Sequence, residues 1–286
     1  MLKTAVIGAG GYIGRHLWQA YGNLGTTHRP AEGLVTLDVR QPDMAALKLV
    51  ENGVQSVILA AAKPLIGYCE KEPAASREVN VTGTLEAVRQ LEAMKLQTIW
   101  FSSDYVFDGR LGGYTDDAQP SPGTEYGRQK AEVERAIPQL TDNYLILRLS
   151  KTYGTLRGDR TLLDEMAALL MSGGEVTAAS DQLFSPTHID DVVGAVQALQ
   201  ARGARGLYNL SCGEDWSRFQ IAQALARALN VQASRVRSIQ LHDLASMAGR
   251  PLNTTLRSDR LQRDQEWTFK SLQSSIQDVT EQWRKA

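Results

Sequence analysis

Lys3–Leu17 reads KTAVIGAGGYIGRHL. A short apolar run rich in β-branched residues ends in glycines, and a helical pattern starts at once behind them. Gly8, Gly11 and Gly14 stand three apart across that junction. In a strand–turn–helix unit the first glycine takes the tight turn. The second lets a pyrophosphate approach the backbone, and the third lets helix and strand pack closely. The helix N-terminus behind them offers free N–H groups and a partial positive charge to phosphate. Glycine-rich turns are common, so the motif gains its weight from the pattern downstream of it.

That pattern is an alternation of strands and helices. YIGRHLWQAYG has helical spacing and a glycine stop, NLGTTH and LVTLDV read as two short strands, and MAALKLVENG reads as a helix. SVILAAA is apolar throughout, as expected of a strand covered on both faces. PAASREVNVTGTLEAVRQLEAM is a long amphipathic helix, QTIWFSS a second buried strand, TEYGRQKAEVERAI a helix and YLILRLS a strand. Strands alternating with helices imply βαβ units and a parallel sheet. The pattern loosens after about Gly154, where helices near 159–172, 188–202 and 216–229 alternate with short strands such as EVTAA and LYNLS. We therefore divide the chain into residues 1–154, a nucleotide-binding domain, and 155–286, mainly a smaller lobe with a cleft between the two. Some segments of the second part are allowed to return to the sheet.

Composition narrows the function classes. The 286 residues are 43% hydrophobic and 22% charged, ordinary for a globular protein. With 31 basic and 32 acidic residues the net charge is −1, which gives no electrostatic reason to expect nucleic acid or an anionic membrane as partner. Two cysteines, Cys69 and Cys212, have no CxxC spacing, and four scattered histidines form no metal-ligand pattern. No metal is expected. No apolar run approaches the ~20 residues a membrane helix needs, and the first strand begins too early for a leader segment, so a cytoplasmic location is expected.

Two features bear on the cofactor. A site for NAD wants an acid near the end of the second strand to hold the adenosine ribose, whereas a 2′-phosphate wants a basic residue there. That strand ends TTHRP with no acid before Arg29, whose guanidinium can fork onto a phosphate. NADP(H) is therefore the expected preference, with NAD(H) allowed; Arg29 as a solvated surface residue is the plain alternative. Asp38, closing LVTLD, suits the adenine edge, or a helix cap.

The strand QTIWFSS ends at Ser102 and Ser103, and Asp104 and Tyr105 come next. A second tyrosine, Tyr126, precedes Lys130 by four residues, so the two share a helix face. A phenol of pKa about 10 barely ionises at neutral pH, and a neighbouring lysine cation is expected to lower that value. Such a group can give a proton to an oxygen while hydride reaches the carbon. YxxxK alone is weak, because most such pairs are helix surface.

Together, the glycine turn, the strand-ending serine and the YxxxK helix resemble the extended short-chain dehydrogenase/reductase superfamily. FSSDYVFDG, EYGRQKAEVE, LRLSKTYG and SPTHIDDV are similar to its dTDP-4-dehydrorhamnose reductase branch, over essentially the whole chain. The resemblance implies an α/β fold, a Rossmann-type doubly wound parallel sheet with a smaller C-terminal α/β substrate lobe. It implies a nicotinamide cofactor and a nucleotide-sugar substrate, reduced at a 4-keto carbon of a deoxysugar, and it allows a homodimer. It assigns catalysis to Ser103, Tyr126 and Lys130, with Tyr126 as proton donor and Lys130 also on the nicotinamide ribose. Gly11, Tyr12 and Ile13 match the phosphate turn, Asp38 and Val39 the adenine contact, and Ala60, Ala61, Ala62 and Lys63 the strand end beneath the cofactor. Asn80 matches an asparagine behind the active site, and Ser102 stands beside the cofactor. Ser103, Asp104 and Tyr105 fall on the substrate side.

The chain also departs from the branch. Where the family reads Arg-Thr-Ser-Trp, this chain has Arg148-Leu149-Ser150-Lys151, and Pro64 replaces a family threonine. Lys151 is thus an expected sugar-side residue, and Arg250, in GRPLNTTL, an expected partner of the diphosphate. Arg157 and Arg160, in GTLRGDRT, face an anionic substrate or a solvated loop. Two other functions stay open: a cofactor-binding regulatory subunit similar to the β subunit of methionine adenosyltransferase, and a sugar-nucleotide epimerase or dehydratase.

Overall fold

The computed structural model describes residues 2–243 and 249–284. In chain order the first part runs β1 (Thr4–Ile7), α1 (Tyr12–Tyr21), β2 (Gly25–Thr27), β3 (Val35–Thr36), β4 (Ser56–Leu59), α2 (Ile66–Lys71), α3 (Pro73–Arg77), α4 (Thr84–Ala93), β5 (Gln97–Ser103), α5 (Glu125–Leu140) and β6 (Tyr144–Leu149). The remainder runs β7 (Thr152–Tyr153), α6 (Leu162–Met171), β8 (Val176–Ala179), β9 (Leu183–Phe184), β10 (Thr187–His188), α7 (Ile189–Ala201), β11 (Gly206–Leu210), β12 (Trp216–Ser217), α8 (Arg218–Ala228), β13 (Val236–Ile239), α9 (Asp259–Gln265) and α10 (Leu272–Arg284).

Seven strands form one sheet in the order β11-β6-β5-β4-β1-β2-β3. The pairs β3–β2, β2–β1, β1–β4 and β4–β5 are all parallel. The chain winds outward from β1 to β3, then returns to β4 and winds the other way, which is the doubly wound Rossmann pattern. Strands β4 and β5 are buried along their whole length, polar Ser56, Gln97, Thr98, Ser102 and Ser103 included, as expected when helices cover both faces. The C-terminal ends of β1 and β4 meet where the winding reverses, the usual ligand position of open α/β sheets.

Two compact units are present. One comprises Met1–Val106, Pro120–Arg148 and Val193–Tyr208; the other comprises Phe107–Gln119, Leu149–Val192 and Asn209–Ala286. The first has its core between the sheet and its helices, around Leu17, Ile58, Leu91, Trp100 and Ile137. A buried two-pronged pair joins α5 to β6: Arg148 Nε and Nη2 donate to the Glu134 carboxylate at 2.9 and 2.8 Å. The second unit gathers Tyr153, Leu163, Phe184, Leu225 and Ile276 into its own core, with β8 and β13 paired in parallel. No described helix is long and apolar enough to cross a membrane.

One expected helix is missing. MAALKLVENG forms only a 3-10 turn at Ala45–Leu47, ended by Lys48 in the left-handed region at φ 50°. Met44, Leu47 and Leu49 are all buried. Spacings of three and two cannot share one face of an α-helix, so burying all three in the core overrides the local helical pattern.

Candidate functional site

The glycine turn behaves as its spacing implies. Gly8 takes φ 96°, a conformation that side chains rarely adopt. A Cβ on Gly14 would lie 2.2 Å from the Gly8 carbonyl oxygen, so only glycine lets α1 seat on the turn. A Cβ on Gly8 would lie 2.6 Å from the Ala61 backbone nitrogen, which brings the loops after β1 and β4 together. Gly11 is different: a Cβ there would meet only the Gly8 oxygen, at 3.5 Å, leaving open space in front of it.

That space belongs to a cavity of about 500 Å³. Gly8, Gly11, Arg29, Asp38, Val39 and Ala60–Lys63, all singled out from the sequence, line it together. Tyr12, Ile13, Gly14, Asn80, Ser102, Tyr126 and Lys130 do not; the first three begin α1 behind the turn, where the Tyr12 ring meets the edge of His16. Residues that the sequence reading passed over also line the cavity, notably His28, Arg40, Tyr68 and Glu78. Arg29 makes no hydrogen bond or ion pair among the described residues and is exposed at the cavity rim. Asp38 is not a helix cap. Its carboxylate accepts Arg40 Nε at 3.0 Å, Arg40 Nη2 at 2.5 Å and the Arg40 backbone N–H at 3.0 Å. The paired guanidinium holds its carboxyl down at about 2.

The other end of the site is built from buried side chains. Strand β5 delivers Ser102 and Ser103 at its C-terminal end, buried with Asp104. The Ser103 hydroxyl donates to Asp104 Oδ1 at 3.0 Å and accepts the Tyr105 N–H at 3.2 Å. Helix α5 starts at Glu125, capped by Thr124, whose hydroxyl accepts the Gly127 N–H at 3.1 Å. Tyr126 and Lys130, one turn apart, are both buried. Lys130 Nζ donates to the Phe101 carbonyl at 2.7 Å and lies 4.5 Å from the Trp100 ring centre and 5.8 Å from that of Tyr126.

The electrostatics correct one expectation. Tyr126 does not have a lowered pKa. Burial raises it, the Asp104 charge raises it further, and the neighbouring Ser103 hydroxyl pulls the other way. Burial also lowers Lys130 to about 7, against the opposing influence of Glu134. The helix spacing brings the two side chains together, but the same packing removes the water that either charge needs.

Two residues without a role in the sequence reading hold this end in place. A Cβ on Gly127 would sit 2.0 Å from the Tyr105 carbonyl oxygen, so this glycine lets α5 close onto the loop after β5. Gln129, fully buried between Tyr126 and Lys130, donates to Ser76 Oγ at 2.8 Å and Glu125 Oε1 at 3.1 Å, and accepts Asn80 Nδ2 at 2.8 Å. Asn80 sits in a π-helical turn, Glu78–Gly83, between α3 and α4. Its side chain clamps the Lys63 backbone, accepting its N–H at 2.7 Å and donating to its carbonyl at 3.1 Å. Asn80 thus ties the strand end beneath the cavity to the helix that carries Tyr126. A buried glutamine bonded to polar neighbours on other elements leaves no mark in a helical pattern, so only the structure finds it.

The chain fits a dinucleotide on two counts: Gly11 faces open space and Arg29, at the same cavity, is uncommitted. Ser102 Oγ is buried without a partner at the end of β5 and does not line that cavity. Of the sugar-side expectations, Ser103, Asp104 and Tyr105 fall in the first unit and Lys151 and Arg250 in the second. Lys151 is exposed, and its carbonyl accepts the Thr187 N–H at 3.0 Å. Arg250 Nε is buried without a partner. Arg157 and Arg160 are exposed in the irregular stretch before α6; the Arg157 guanidinium lies 4.2 Å from the Trp283 ring centre and its backbone N–H donates to Gln282. The Arg160 N–H is held by Asp164 at 2.9 Å.

Comparison with known proteins agrees with this fold. The family described as the RmlD substrate binding domain matches residues 2–285. A dTDP-4-dehydrorhamnose reductase of Sinorhizobium fredii is 28% identical over 253 residues, 82% of this chain and 84% of that protein. Methionine adenosyltransferase 2 subunit beta of Xenopus laevis is 28% identical over 282 residues, 91% of this chain and 82% of that protein. Among solved structures, dTDP-4-dehydrorhamnose reductase from Bacillus anthracis in complex with NADP superposes with a TM-score of 0.85. It is 22% identical, covering 98% of this chain and 99% of that one.

Proposed function

The chain belongs to the RmlD substrate binding domain family, and from that premise we propose that it is an NADP(H)-preferring oxidoreductase that reduces the 4-keto group of a nucleotide-activated deoxysugar. The observation that carries the reading is the convergence of Ser103, Tyr126 and Lys130 at the end of β5, next to a strand end that also lines the glycine-floored cavity. The nicotinamide, when bound, supplies the hydride.

The chain's own residues do the rest. Gly8, Gly11 and the N-terminus of α1 receive the pyrophosphate, and Arg29 takes the 2′-phosphate. Ser102 Oγ, buried and unpartnered, turns to the cofactor. Ser103 donates to the substrate carbonyl oxygen, which fixes it beside the Tyr126 phenol. Because burial raises the pKa of Tyr126, its hydroxyl stays protonated through neutral pH, the state a proton donor needs. Lys130, near 7, carries its charge only part of the time; it donates to the Phe101 carbonyl and would also hold the nicotinamide ribose. A phenolate left by proton transfer then draws the Lys130 charge to itself. The family resemblance is what assigns Arg250 to the substrate diphosphate and Lys151 to the sugar.

The dTDP-4-dehydrorhamnose reductase relative supports this substrate class, and the NADP complex of the Bacillus anthracis protein supports this cofactor. Purified protein with NADPH and a panel of 4-keto sugar nucleotides should consume the nicotinamide absorbance with at least one of them. Tight NADPH binding without turnover on any would instead favour a cofactor-binding subunit; the Xenopus laevis relative is named as a subunit of methionine adenosyltransferase 2.

A further inference from the structure

The π-helical turn Glu78–Gly83 meets the wall of the cavity in three places. Glu78 and Val79 line the cavity themselves. A Cβ on Gly83 would collide with the carbonyl oxygen of Val39, another lining residue. Asn80 holds Lys63, a third, by both of its peptide groups. That one backbone segment sets the direction of every bond behind it. The Lys63 N–H can only donate, so the Asn80 atom facing it is the amide oxygen, at 2.7 Å. The Asn80 NH2 then gives one proton to the Lys63 carbonyl at 3.1 Å and the other to Gln129 Oε1 at 2.8 Å. Gln129 Nε2 is thereby turned to Ser76 Oγ in α3, at 2.8 Å, and to Glu125 Oε1 in the first turn of α5, at 3.1 Å. Asn80 and Gln129 are each 1% exposed, and neither lines the cavity. A glutamate at 129 could accept but not donate, and an apolar side chain could do neither. A primary amide of this length closes the network.

We propose that Gln129 is a positioning residue for the reduction: through Asn80 it sets the place of Tyr126 and Lys130 relative to the strand end at the cavity. The inference rests on the reductase reading above and deepens it. Hydride and proton must reach the two atoms of one carbonyl, the first from the cofactor and the second from Tyr126. The cofactor lies against the cavity wall and Tyr126 stands on α5, so their spacing depends on what joins wall to helix. Gln129 makes that join in the same turn of α5 that carries Tyr126 and Lys130. A displacement of about 1 Å at a reacting centre can cost on the order of a hundredfold in rate. Without Gln129 Oε1, an Asn80 proton is orphaned in a dry interior and the grip on Lys63 loosens with it. The bonds to Ser76 and Glu125 tie α5 to α3 and to its own first turn, so they serve stability more than alignment.

The test uses the full chain with NADPH and a 4-keto sugar nucleotide, and follows the exchange of the Lys63 N–H by NMR. Gln129→Leu should lower kcat by about tenfold or more, while KM for the sugar nucleotide changes by about twofold at most. In the same variant the Lys63 N–H should exchange about tenfold faster, the sign of a weakened Asn80 grip. Ser76→Ala is the control for stability. It removes one buried acceptor and should lower the melting temperature, yet leave kcat and Lys63 exchange at wild-type values. Asn80→Ser should also slow the reaction, and the double variant should be no slower than the slower single one. An unchanged kcat in Gln129→Leu, an equal loss in Ser76→Ala, or losses that multiply in the double variant would each overturn the inference. Should Gln129→Leu fail to fold, Gln129→Glu takes its place. It keeps the acceptor for Asn80, so wild-type Lys63 exchange is expected and faster exchange would overturn the link. A wild type that reduces no sugar nucleotide would overturn the reductase reading itself, whereas wild-type turnover with unchanged Lys63 exchange in Gln129→Leu would overturn this inference alone.

Discussion

The glycine-floored cavity and the Ser103–Tyr126–Lys130 end lie in one unit, yet they are made of different materials. The cavity floor is backbone, shaped by glycines, and its charges stand half in water: Arg40 and Asp38 expose 50% and 38% of their side chains. The other end is side chain throughout, with Tyr126 8% and Lys130 3% exposed. Solvated charges keep their ordinary protonation and act weakly and at long range, which suits selecting a ligand. Desolvated groups lose their ordinary pKa values and become adjustable acids and bases, which suits proton transfer. The contrast implies that substitutions at the first end change affinity and those at the second change rate.

The largest break in that contrast should come from Tyr126→Phe. We expect the rate of carbonyl reduction to fall by roughly a hundredfold or more, the scale of a lost general acid, while the affinity for NADPH holds. Pre-steady-state absorbance and fluorescence titration separate the two. A parallel loss of affinity would mean that the phenol serves binding.

Lys130 sharpens the same contrast through stability. Its folded pKa, near 7, lies below the unfolded value of about 10.4. Between these values the unfolded chain binds the extra proton, so wild-type stability should rise as pH climbs from 7 toward 10, by an amount on the order of a few kcal/mol. Below 7 the full cost of burying the cation is present. Lys130→Met should flatten this slope and be the more stable protein at pH 6, while losing activity. Urea midpoints at pH 6 and pH 9 check both signs.

Gly127→Ala tests packing in place of charge. The added Cβ meets a backbone oxygen that cannot move aside freely, so a cost of about 1–3 kcal/mol is expected. The reduction rate should fall with it, because α5 carries Tyr126. Full activity in a destabilised variant would separate the glycine from the site.

The smallest effect belongs to Arg29→Ala. It should weaken NADPH several-fold and NADH hardly at all, an advantage that disappears at high salt. Equal losses for both cofactors would remove Arg29 from the 2′-phosphate site.

Legibility in the sequence divides along the same line. Gly8 and Gly14 are required by backbone geometry within a few residues, so their spacing alone conveys their roles. The apolar runs of β4 and β5 announce their burial directly. Tyr126 and Lys130 share a helix face at a spacing that any α-helix preserves. Longer-range matters were hidden. Gly127 answers to Tyr105, more than twenty residues before it in the chain, and Gln129 to Asn80, 49 residues away. The direction of the Tyr126 shift depends on burial, which a spacing of four cannot report. Residues 44–53 look helical until Met44, Leu47 and Leu49 must all reach the core. Arg40 escaped for another reason: residue type suits Asp38 to an adenine edge, and only the structure shows its carboxylate paired with Arg40 two residues on.

The central claim is that this chain moves hydride from a nicotinamide to a sugar-nucleotide ketone while Tyr126 provides the proton. One measurement addresses it directly: a single turnover of wild-type protein with NADPH deuterated at the transferring carbon position and a 4-keto-6-deoxy sugar nucleotide, with the sugar then analysed by mass spectrometry. The account predicts a product carrying one deuterium on the former keto carbon. Deuterium retained wholly in the cofactor, with the ketone unreduced, would contradict it.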